Sequence, residues 1–177
     1  MKKIYFLSLF FLLALFLHGC YESAVPLSET PSLQVDGRLI RNWTSITHDK
    51  TEAAISLSIL KFNDNEYLVT WKDGDDNETV LARGFTTRVG NTNIMNLQGV
   101  QSLEATERTY VFFKFDINQD GNLVVCILSN DFDELHDRKF ESSREFNDFV
   151  RKNIGSSGLF DEDIEFRPTG EFRFELN

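Results

Sequence analysis

Large apolar side chains alternate with polar ones along much of this chain, and that period of two restricts it to folds built from half-buried strands. Ile55, Leu57 and Ile59 alternate with Ser56 and Ser58. Tyr67, Val69 and Trp71 alternate with Glu66, Thr70 and Lys72, and Asn63-Asp64-Asn65 between the two runs reads as a hairpin turn. A second turn over Lys72 to Asn77 leads into a strand from about Thr79 to Val89, where Val80, Ala82 and Gly84 make one face small. Val89-Gly90-Asn91-Thr92 turns into Asn93 to Leu97. Thr109 to Asp116 and Asn122 to Leu128 are apolar on both faces, which predicts central strands. Ile164 and Phe166 precede a turn expected at Arg167-Pro168-Thr169-Gly170, and Phe172, Phe174 and Leu176 predict a last strand. Successive strands with short polar turns make the expected fold mainly β, an antiparallel meander forming a barrel or a sandwich.

One helix interrupts the strands. Ser142 and Glu145 have the spacing of a capping box, in which the serine accepts from a free amide and the glutamate reaches back. Phe146, Phe149, Val150 and Ile154 form one apolar stripe, Arg151 and Lys152 suit the negative end, and Gly155 is the expected C-cap. The stripe predicts packing on the sheet, in the C-terminal half of the chain.

The start of the chain has a different logic. Met1-Lys2-Lys3 is positive, and Ile4 to Leu17 is apolar except for Ser8. At ~1.5 Å per residue this run covers only ~21 Å, short of a ~30 Å hydrocarbon core, so it suits a signal peptide better than a permanent span. Leu17-His18-Gly19-Cys20 resembles the lipobox of bacterial lipoproteins, with His18 replacing the smaller residue usual there. The resemblance implies cleavage before Cys20, diacylglycerol on its thiol and a further acyl chain, such as palmitate, on its amine. It implies a membrane anchor in the cell envelope. Tyr21 stands where an Asp would signal inner-membrane retention, which favours the outer membrane if the source is Gram-negative. The expected division is a signal peptide over 1–19, the lipidated Cys20 with a proline- and serine-rich flexible tether over 20–32, and one β-rich domain over 33–177.

Removing residues 1–19 from the 177 leaves 158, enough for one core. It takes Lys2 and Lys3 from 18 basic residues and nothing from 28 acidic ones, moving the net charge from −10 to −12. An acidic surface argues against nucleic acid as a partner. With Cys20 carrying lipid, Cys126 has no disulfide partner, and its setting in Leu123 to Leu128 reads as a small apolar side chain.

Asp116-Ile117-Asn118-Gln119-Asp120-Gly121 matches the first half of a calcium loop, with Asp116, Asn118 and Asp120 as candidate oxygen ligands. The twelfth position is Ile127 where a bidentate Glu belongs, and hairpin loops favour the same residues for turn reasons. No other cofactor is expected. Asp161-Glu162-Asp163-Glu165 is a charge run of the kind found in solvated loops. Gly155-Ser156-Ser157-Gly158 is one residue short of a nucleophile elbow and reads as cap and loop. His48 lies beside Asp49, and His136 lies close to Asp131, Asp133 and Glu134.

The β meander with a late helix resembles a lipocalin-type barrel, with Trp43 at the first-strand tryptophan of that family and Arg41 where the family has glycine. That resemblance implies a cavity, whose wall residues would be Trp43, Tyr67, Trp71, Tyr110 and Phe112. The other reading of these rings is a filled aromatic core. The function expected is a non-catalytic binding or interaction module, holding an apolar small molecule or docking on an envelope protein. Alternatives are an envelope hydrolase using carboxylates near His136, and an inhibitor or chaperone of a cationic envelope protein.

Overall fold

The structure, a computed structural model, describes residues 20–47, 53–72, 74, 79–100 and 109–170. Its elements in chain order are β1 (Glu22–Ser23), a 3-10 turn (Gly37–Leu39), β2 (Asn42–Ser45), β3 (Ser56–Lys61), β4 (Tyr67–Lys72) and β5 (Thr79–Val89). Then follow β6 (Thr92–Gly99), β7 (Tyr110–Ile117), β8 (Leu123–Ile127), α1 (Ser143–Asn153) and β9 (Ile164–Gly170). From β2 to β9 each strand pairs antiparallel with the next, and β9 returns to β2. The result is a closed eight-stranded barrel with one extra strand, β1, and a single α-helix among the described residues. The sequence left barrel and sandwich open, and the β9–β2 pairing decides for the barrel.

The period of two explains how the wall is clad on both sides. Leu57, Ile59, Tyr67, Val69, Met95, Phe115, Leu123, Val125 and Phe166 project inward and form one buried cluster. Ile94, Phe112 and Leu128 face outward into a second cluster, which α1 covers with Phe146, Phe149 and Val150. β7 therefore reads as apolar on both faces because Phe113 and Phe115 fill the barrel while Phe112 packs under the helix. Phe112 and Phe146 meet edge to face with centroids 4.8 Å apart. Burying a side chain such as Phe146 or Val150, neither exposed at all, stabilises by roughly 1.5–3 kcal/mol.

Ser142 is the N-cap of α1 and accepts from the Glu145 amide at 3.3 Å, while Glu145 accepts from the Glu141 amide. The helix ends one residue earlier than the sequence suggested. Its C-cap is Ile154 in ordinary helical geometry, and the last turn is closed by Asn153, whose side chain donates to the Phe149 carbonyl at 3.1 Å.

Three other expectations are corrected or fall outside the structure. The turn expected at Arg167 to Gly170 is strand, paired with β2 through Trp43↔Pro168 and Thr44↔Arg167. A register shift between Asn42 and Trp43 places a bulge beside Pro168, which is how a strand accommodates a residue with no amide to donate. The strand expected at Phe172 to Leu176, and His48, lie outside the described residues.

The tether expected over 20–32 is no free strap in its first half. Tyr21 is 3% exposed and Leu27 1%. Glu22 and Ser23 pair with Val111 and Tyr110 of β7, on the side that β8 vacates beyond Ile127. The segment then crosses the outer wall. The Asn96 side chain accepts from the Leu27 amide at 2.8 Å, and the Asn65 side chain donates to the Leu33 carbonyl at 3.1 Å.

Candidate functional site

The barrel interior is the first place to seek a site, because eight strands enclose a space that side chains can fill or that one small ligand can occupy. Here side chains fill it. The indole of Trp43, 1% exposed, donates to the Leu39 carbonyl at 3.0 Å, so the 3-10 turn and this ring close one end together. Arg41 lies over the same ring, 5.4 Å from its centroid. The Tyr67 hydroxyl accepts from the Asp36 amide at 2.6 Å, which ties that plug to the wall. Trp71 packs edge to face on Phe166 at 5.8 Å. Among the described residues, the space left inside is a cavity of about 40 Å³ lined wholly by apolar side chains, among them Trp71, Leu97 and Phe113. Drug-sized ligands occupy pockets of roughly 300–1,000 Å³.

The five aromatic residues proposed for a cavity wall therefore part company. Trp43, Tyr67 and Trp71 belong to the interior cluster. Tyr110 and Phe112 face the outer cluster beneath α1, on the opposite side of the wall, because residues 110 and 112 of β7 are out of phase with Phe113 and Phe115. Gly84 contributes to the filling. A Cβ there would lie 2.7 Å from the Asn96 carbonyl oxygen and collide with the Leu97 side chain, so only glycine lets β5 and β6 lie this close.

The Asp116 to Gly121 segment is the β7–β8 hairpin turn. Asn118 Oδ1 accepts from the amides of Asp120 and Asn122, both at 3.0 Å, and its Nδ2 donates to Glu165 at 2.7 Å. Gly121 has φ +80°, the conformation for which a turn needs glycine. The oxygen that a calcium loop would aim at an ion is thus used in shaping the turn. Among the described residues no group of three His, Cys, Asp or Glu side chains is placed to hold a metal ion.

Cys126 faces outward from β8, and its thiol donates to Asp163 Oδ1 at 2.7 Å. Burial first, then that hydrogen bond, pushes it up to about 11. It is a protonated, buried thiol and a poor nucleophile. His136 is exposed. Its Nδ1 lies 3.1 Å from the Asn130 carbonyl and its Nε2 3.4 Å from Asp137. Asp131, Asp133 and Glu134 line an open depression of about 710 Å³ that also takes in Ser129, Asp161 and Glu162, and His136 is outside it. The crowding of acids around that histidine in sequence does not bring it together with them in one cleft.

Cys20 lies beside this depression. It bridges to Ser129, and the next residue, Tyr21, donates its amide to the Leu128 carbonyl at 3.0 Å. Burial, then the charges of Asp161 and Glu22, holds the thiol above its ordinary range. Tyr21 sits among Phe112, Phe140 and Phe146, and its hydroxyl donates to the Arg138 carbonyl at 2.6 Å. Sequence reasoning missed this seating, although a tyrosine directly after the cysteine was a cue for burial.

No helix among the described residues is long and apolar enough to cross a membrane. No family model, no curated protein and no solved structure matches the chain.

Proposed function

We propose that this chain is a lipid-anchored interaction module of the bacterial envelope, working through its outer surface and not as a carrier of a ligand in its barrel. The observation that carries this reading is the filled interior. A cavity of about 40 Å³ has room for little beyond a water molecule or two, so recognition falls to the outside of the wall. The lipobox-like Leu17-His18-Gly19-Cys20 supports the anchor. The acidic balance of the mature chain repels nucleic acid and favours a protein partner.

Mass spectrometry of the chain extracted from bacterial membranes tests both halves. The expected result is an N-terminal peptide beginning at Cys20 with the mass of a diacylglycerol and an amide-linked acyl chain. Under native conditions no further small molecule should accompany it. An unmodified thiol on Cys20 would overturn the anchor. A stoichiometric apolar compound released only on unfolding would overturn the surface reading.

A further inference from the structure

We infer that the anchor has no leash: the acyl chains leave directly from the barrel wall, and the flank around Ser129, Phe160 and Asp161 lies against a zwitterionic lipid surface. This rests on the lipid-anchor reading above. Its own ground is the seating of the residues after Cys20. Cys20 is bridged to Ser129, Tyr21 is buried, and Glu22 and Ser23 are paired with β7. Twelve extended residues would let a domain stand up to ~40 Å from its anchor. Here the first residue past the cysteine is already part of the wall, so the cysteine side chain sets the distance. A body held this closely is held in one orientation, and the surface beside the attachment point becomes its underside.

The chemistry of that underside selects the lipid. Glu22 and Asp161 flank Cys20, and the depression continuing from Ser129 carries Asp131, Asp133, Glu134 and Glu162. Carboxylates pressed against anionic headgroups repel them, and little salt screens charges separated by less than ~8–10 Å. Headgroups that carry an ammonium and no net charge, as in phosphatidylethanolamine, meet them without that penalty.

The test uses the mature acylated chain in vesicles of phosphatidylethanolamine and phosphatidylcholine, a fraction of whose headgroups carry a nitroxide quencher. A fluorophore is placed at Asp133→Cys, in the lining of the depression, or at Asp64→Cys, in the β3–β4 turn. β4 lies four strands from β8 either way round the ring. The parent chain treated alike corrects for dye on Cys126. Quenching severalfold stronger at position 133 than at 64 is expected. Inserting about twelve Gly/Ser residues after Cys20 should bring the two towards equality, because such a linker has a mean reach of ~20 Å. Replacing part of the lipid with phosphatidylglycerol should weaken the contrast. Equal quenching in the chain without the insertion, or a contrast that the insertion leaves untouched, overturns the inference while leaving the anchor intact. A Cys20→Ser chain that binds the vesicles as well as the acylated parent overturns the anchor itself.

Discussion

Asn96 is fully buried on the outer side of β6, and each of its polar atoms is used. Its oxygen accepts from the Leu27 amide, and its nitrogen donates to the Phe85 carbonyl and the Thr87 hydroxyl. Replacing it with Leu would leave the Leu27 amide buried and unpaired, a loss of about 1–3 kcal/mol. Denaturant unfolding should show that loss, and hydrogen exchange at Leu27 should quicken before global unfolding. Alternation placed Asn96 on a strand, but its partner is 69 positions away, a pairing that no local pattern reveals. Glu66 gives a pH signature. Its hydrogen bonds with Arg83, chiefly, and with Asn63 hold its carboxyl below the ordinary range. A carboxyl with a folded value below its unfolded one, ~4.3, stabilises above that value and loses the contribution as pH falls through the folded one. Because Arg83 is half exposed, the pair contributes only about 1 kcal/mol. Stability measured from pH 5 downward should fall less steeply in Glu66→Gln than in the parent. Cys126 should resist iodoacetamide at pH 8 in the native state and react readily in urea. Rapid native labelling would contradict its burial.

At the scale of the element, α1 was legible because its signals are local. The cap, the apolar stripe and the basic last turn all lie within thirteen residues of one another. Ser142→Ala should cost about 1 kcal/mol in thermal or denaturant unfolding. The end of α1 was misread because Gly155 suggested a left-handed cap, whereas Asn153 supplies the closing hydrogen bond from within the helix. β9 was cut short because Arg167-Pro168-Thr169-Gly170 reads locally as a turn, and only its partner β2 reveals the bulge that admits Pro168. β1 was unreadable for a related reason. Two residues in a stretch rich in proline and serine have no period, and they are a strand only because β7 offers them an unpaired edge. β5 shows the reverse, a local oddity with a distant cause. Gly84 looked merely small, and the structure shows it making room for Leu97. Gly84→Val should force β5 and β6 apart and destabilise by about 1–3 kcal/mol, the usual cost of overpacking.

For the whole molecule, what alternation could not supply was closure. Seven of the eight wall pairings join neighbours in sequence, and the eighth, β9 with β2, spans nearly the full domain. The candidate site was legible only in part. The interior position of Trp43, Tyr67 and Trp71 follows from strand phase, but whether those rings line a space or fill it depends on how all the inward side chains fit together. Trp43→Ala should cost about 3–5 kcal/mol and open a void large enough to admit a small apolar probe such as benzene or xenon. Binding of such a probe to the variant but not the parent, read by calorimetry or NMR, checks the filling of the parent barrel.

Closure of the ring, with β1 laid along the stretch of β7 that β8 leaves open, has a consequence for copies that meet at high local density. Among the described residues the edge left without a strand partner is short, chiefly residues 85–89 of β5 where it runs past its β4 partner at Gly84, so a second chain has little to extend. Association between copies of the described wall would rest mainly on side chains.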